Sequence, residues 1–248
     1  MNFELADYLL PGVALDRITE ALGKAAGQEL TSGKFGSPQS SSALAVNGFG
    51  AFLENPGLLP PFPGLSTIDW PAVRVDVERE MRFPWSGGRH PWLDAAVETE
   101  KCLIGVESKR YEPFRDRKRA KLSPKYASID WGSGMQSWCQ MRDRLVDNPL
   151  AYRHLDAAQL VKHSYGLVTE ARRQSKQAAL LYLFAEPSHG PKVDEEAKVR
   201  HRAEIAEFGL AVAGADVAFH SCSWREWLKT FPQGQKAHAD RLIARFHP

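Results

Sequence analysis

The stretch Trp92-Leu-Asp-Ala-Ala-Val-Glu-Thr-Glu-Lys-Cys-Leu-Ile-Gly-Val-Glu-Ser-Lys109 decides how the chain is read. Two segments, Trp92 to Thr99 and Cys102 to Lys109, predict strands joined at Glu100-Lys101. A two-residue turn sets Val97 opposite Ile104 and Asp94 opposite Glu107, whereas a three-residue turn would set Asp94 opposite Val106. Side chains alternate along a strand, so Lys109 shares a face with Glu107 while Ser108 points the other way. Facing carboxylates repel, and a divalent cation held by oxygen ligands is the simplest offset.

The hairpin resembles the catalytic core of the PD-(D/E)xK, or restriction-endonuclease-like, nuclease superfamily. By position, Asp94 matches the motif Asp, Glu107 the motif Glu and Lys109 the motif Lys. Leu93 stands where the family usually has proline, the nearest proline being Pro91. The apolar run Cys102-Leu-Ile-Gly-Val106 leading into Glu107 adds context. The resemblance implies Mg²⁺, with Mn²⁺ as substitute, bound by Asp94, Glu107 and the backbone carbonyl of Ser108. It also implies hydrolysis of phosphodiester bonds, with Lys109 orienting water and stabilising developing charge. Gln159 resembles a helix glutamine that some members direct toward the site. Asn47, Glu54 and Glu80 are further candidates to approach the metal.

Composition fits a globular chain: 248 residues, 43% hydrophobic and 25% charged,. We expect one domain over 1–248, with its core at about 40–221 and helical additions at both ends. No run of about 18 apolar residues occurs, and Met1-Asn-Phe-Glu-Leu lacks the pattern of a signal peptide, so a cytoplasmic protein without membrane contact is expected. Cys102, Cys139 and Cys222 suit neither a disulfide framework nor a zinc knuckle and are expected to be small buried residues.

Net charge is +2, yet Lys109 to Lys125 holds eight Lys or Arg against Glu112 and Asp116. Basic residues interleaved with Tyr111 and Phe114 suit a phosphate backbone with unstacked bases. Arg110, Arg115, Arg117, Lys118, Arg119 and Lys121 are therefore candidate nucleic-acid contacts. DNA is the expected partner, and a homodimer stays open. No P-loop, H-E-x-x-H or G-x-S-x-G pattern is present,. A glycosidase using Asp94 and Glu107 is disfavoured by the adjacent lysine. A non-catalytic binding or interaction module keeping the same fold is the main alternative.

Apolar spacing in Asn2 to Gln28 predicts an amphipathic helix, and the serines before Ala43 predict a helix N-terminus. Five prolines between Asn55 and Pro71 predict an irregular connection,. Val73 to Phe83 alternates as a first strand. Met135 to Val146 and Asp156 to Arg173 predict helices, Gln177 to Ala185 a strand buried on both faces, Val193 to Ala213 a helix and Asp216 to Ser221 a strand. Trp224 to Phe231 and Gln235 to Phe246 predict terminal helices. The fold class is α/β, with an αβββαβ core whose mixed sheet is flanked by helices.

Overall fold

The computed structural model describes residues 4–25, 33–115, 119–190 and 192–248. Its helices are α1 (Leu15–Lys24), α2 (Ser41–Gly50), α3 (Gln136–Asp147), α4 (Ala157–Arg173), α5 (Glu195–Ala211), α6 (Trp224–Lys229) and α7 (Lys236–Phe246). Its strands are β1 (Arg74–Glu80), β2 (Trp92–Glu98), β3 (Cys102–Lys109), β4 (Gln177–Phe184) and β5 (Val217–Ser223). They form one sheet in the order β1-β2-β3-β4-β5. The first three strands are antiparallel neighbours, and β4 and β5 continue parallel to β3. This is the expected mixed α/β sheet, with α4 and α5 as its parallel crossovers.

The hairpin register follows the two-residue turn, with Ala95 opposite Val106, Ala96 opposite Gly105 and Val97 opposite Ile104. Alternation then builds two cores. Val97, Ile104, Val106 and Leu181 pack against α2 and Trp224, while Ala96, Leu103, Leu180 and Tyr182 pack with residues of α3, α4 and α5. The α2 helix is buried from Ser42 to Gly50, so an apolar sequence without a polar stripe suits it. Ser40 caps it by accepting the Ala43 N–H at 3.0 Å, and Asp156 caps α4 by accepting the Gln159 N–H at 3.0 Å,.

Two expectations change. The N-terminal apolar segment is a 3-10 turn at Leu5–Tyr8 followed by α1 rather than one helix; Pro11 and the left-handed Gly12, φ +90, separate them,. The ends of that prediction, at Asn2 and at residues 26–28, lie outside the described residues. Cys102 and Cys222 are buried and unpaired as expected, but Cys139 is only half-buried. No helix among the described residues is long and apolar enough to cross a membrane.

Candidate active site

The ladder between β2 and β3 ends at Ala95 and Val106. One residue earlier, the Asp94 carboxylate accepts the backbone N–H of Ser108 at 2.6 Å, replacing the acceptor that a continuing strand would supply. Leu93 joins the core on the α3–α4 side although alternation from Ala95 would place it on the other. At the neighbouring position of β1, Glu78 takes a left-handed backbone with φ +49, a costly conformation for a residue with a Cβ. A strand residue's N–H and C=O point to the same neighbour, so the Ser108 carbonyl faces the gap that its N–H spans. Its hydroxyl, on the opposite face from Glu107, accepts from Trp224 Nε1 at 3.2 Å.

Glu107 is buried and held through both oxygens. Lys109 Nζ pairs with Oε1, and His163 Nε2 lies 2.8 Å from Oε2. Burial opposes its ionisation, but the Lys109 ammonium and the close His163 ring outweigh it and draw its pKa down to about 2,. Asp94 goes the other way: burial first, then the charges of Glu107 and Glu78, hold it well above the usual carboxylate range against Lys109 and the Ser108 N–H. Burial works against the charge on Lys109 too, but Glu107, Asp94 and Glu112 together raise its pKa. Glu112 accepts from the Ser41 hydroxyl and from the Arg110 N–H, the latter at 2.9 Å, and its pKa is lowered despite burial. Several carboxylates thus depend on the charge of Lys109.

That surplus of negative charge is the structural test of a cation. No three His, Cys, Asp or Glu among the described residues form a metal-ligating group by themselves. Mg²⁺, however, typically takes only one or two carboxylates and fills its other positions with carbonyls, water and substrate oxygens. Asp94, Glu107 and the Ser108 carbonyl are oxygen donors of this kind, and a carboxyl driven toward protonation by burial and by the charges of Glu107 and Glu78 is one that a cation would restore to its anion,. The residues present fit Mg²⁺ or Mn²⁺.

Gln159 lies on the first turn of α4, one turn before His163, and lines two clefts that flank the site. One, about 60 Å³, includes Lys109, Tyr152, Arg153 and His154. The other, about 280 Å³, includes Arg89, Trp92, Tyr126, Lys162 and His163. The segment after β3 borders both, through Ala120 on one side and Tyr126 on the other.

The basic segment itself divides. Arg110 is only 4% exposed, and its guanidinium donates to the Pro38 carbonyl at 2.6 Å and to the Phe246 carbonyl. Its expected role as a nucleic-acid contact is therefore wrong; it is an internal brace. Arg115, Arg119 and Lys121 are exposed, while Arg117 and Lys118 lie outside the described residues. Asn47 is committed to other partners. Asn47 is buried in α2, accepting the Leu10 N–H at 2.6 Å and donating to the Tyr8 carbonyl at 3.0 Å, and Glu54 is exposed. Glu80 pairs with Arg82 at 3.0 Å, leaving Glu78 as the β1 carboxylate whose charge reaches Asp94. The sequence reading missed Glu78 and His163; the one available signal was that His163 follows Gln159 by four residues, on the same helix face.

No curated protein and no solved structure matches the chain. The model of a family described as restriction endonuclease associating with ARP matches residues 3–247, and this chain, with its mixed α/β sheet, belongs to that restriction-endonuclease-like family.

Proposed function

We propose that the protein is a divalent-cation-dependent nuclease that hydrolyses phosphodiester bonds in DNA. The observation that carries the reading is the meeting of the Asp94 and Glu107 carboxylates at the opened end of the hairpin, with the Lys109 ammonium beside them. Bound Mg²⁺ or Mn²⁺ would neutralise phosphoryl oxygens and supply an activated water. Asp94, Glu107 and the Ser108 carbonyl would hold the ion. Lys109 stays protonated, so it is no general base; it orients the water and meets charge developing on the phosphoryl group. Gln159, which lines both clefts, is a candidate to orient the same water. Family membership supports nuclease activity and favours DNA as substrate.

The phosphate backbone is assigned to the clefts around Gln159. Arg89 and Lys162 line one together with Trp92 and Tyr126, a pairing of cations and aromatic rings suited to phosphates and unstacked bases. Lys125 lies over the Trp85 ring at 4.5 Å next to this cleft. Arg115, Arg119 and Lys121 extend the positive surface.

The test is a panel of single- and double-stranded DNA and RNA incubated with purified protein in Mg²⁺, Mn²⁺ or EDTA. Metal-dependent cleavage of DNA is expected. Charge reversal at Arg89 and Lys162 should weaken binding and flatten its salt dependence, as should reversal at Arg115 and Arg119. A protein that binds DNA tightly yet cleaves no nucleic acid with either metal would instead be the non-catalytic module.

A further inference from the structure

We infer that His163 is a positioning residue that fixes the Glu107 carboxylate as a one-oxygen cation ligand, an inference that rests on reading Asp94 and Glu107 as cation ligands. His163 Nε2 approaches Glu107 Oε2 at 2.8 Å with both side chains buried. Neither ring nitrogen has an aligned hydrogen-bond partner among the described residues, so the 2.8 Å approach of Nε2 to Oε2 is a close ion-pair contact. The helix that carries it is tightly placed. A Cβ on Gly166, one turn further along α4, would lie 2.8 Å from Met81 Cβ and Pro91 Cγ and 2.9 Å from the Met81 carbonyl. Helix α4 therefore lies directly against the chain between β1 and β2, and His163 has little room to withdraw.

The two partners of Glu107 are not equivalent. Lys109, on Oε1, has a side chain 15% exposed, whereas His163, on Oε2, is 3% exposed. The long lysine chain can swing its ammonium toward substrate; the ring, enclosed in the α4 interface, cannot. Oε1 is thus the exchangeable oxygen, open to a cation when Lys109 swings off it, while Oε2 stays on His163. A carboxylate pinned in this way keeps one rotamer and one coordination mode. Partners that orient metal ligands through a second hydrogen bond typically contribute a factor of about 10 to 100 in affinity or activity.

The experiment measures Mn²⁺ binding to the full chain by titration calorimetry, without substrate, alongside the Mg²⁺ concentration giving half-maximal cleavage. His163→Leu should weaken Mn²⁺ binding by about 10- to 100-fold and raise the Mg²⁺ requirement in parallel, with the KM for DNA unchanged. His163→Gln, whose amide can reach Glu107, should recover most of the affinity. If His163→Leu does not fold by circular dichroism, His163→Asn replaces it, because that shorter amide stops short of Glu107 yet stays polar. Wild-type affinity and turnover in the non-bonding variant, or no recovery with glutamine, would overturn the role of His163 while leaving the nuclease reading intact. Absence of Mn²⁺ binding by the unaltered protein would overturn the ligand reading itself and His163 with it.

Discussion

The backbone N–H of Ser108 donates to the Asp94 carboxylate at 2.6 Å, so an acid from one strand completes the hydrogen bonding of the next. The proposed ligand is in this way part of the sheet, and substitutions there separate fold from chemistry. Asp94→Asn keeps an oxygen for the Ser108 N–H and removes repulsion from Glu107 and Glu78. Its melting temperature in EDTA should equal or exceed that of the unaltered protein, with cleavage lost. Asp94→Ala, which strands a part-buried N–H, should be less stable than Asp94→Asn by about 1–3 kcal/mol. Melting curves giving the reverse order would contradict the arrangement.

Lys109→Met should do more than slow the reaction. It removes the ammonium from Glu107 in a largely buried pair, and breaking such a pair typically costs about 3–5 kcal/mol. A divalent cation would compensate in part, so the rise in melting temperature on adding Mg²⁺ should be larger in this variant than in the parent. Cleavage should fall by about 10²- to 10³-fold even in saturating metal. Equal metal-induced shifts in variant and parent would argue that the carboxylates do not share a cation.

Gly166→Ala introduces a methyl that meets backbone as well as side-chain atoms. Overpacking of this kind costs about 1–3 kcal/mol, and relieving it moves α4 and His163 away from β3. Denaturant unfolding should show the loss, and cleavage should fall although no group proposed to touch substrate has changed. Undiminished stability would mean that the α4 contact is looser than described.

His201 sets an acid limit on stability. It is fully buried, its Nε2 2.9 Å from the Tyr182 hydroxyl, and burial, with smaller contributions from His154 and Arg202, lowers its pKa to about 3. The unfolded chain takes up this proton as pH falls through about 6.5, whereas the folded chain does so only near 3. Between these values the unfolded state binds more protons, so this contribution is complete above pH 6.5 and declines as pH falls, by up to about 5 kcal/mol. Unfolding free energies from pH 7 to 4 should fall less steeply in His201→Gln. Parallel curves would remove the histidine as the cause.

Much of the fold was legible because it is written in local chemistry. The Cys102–Val106 run, the apolar strand Gln177 to Ala185, the serine cap of α2 and the proline-rich connection each act within a few residues. The register of Val97 against Ile104 and of Ala95 against Val106 followed from one turn, whereas the ladder stops short of the expected pairing of Asp94 with Glu107. What escaped depends on distant contacts. His163 meets Glu107 only because α4 packs across the sheet, and the left-handed backbone of Glu78 has no signature in a non-glycine residue. Arg110 misled for a related reason: a basic run suggests solvent, but this guanidinium meets carbonyls supplied from both sides of the sequence, at Pro38 and at Phe246.

That brace has a consequence for proteolysis. Arg110 follows Lys109 directly, and one arm of its guanidinium rests on the last turn of α7. A protease cutting ahead of α7 would release that support from the β3 terminus. Molecules cut there should lose the proposed cleavage of DNA before the sheet unravels.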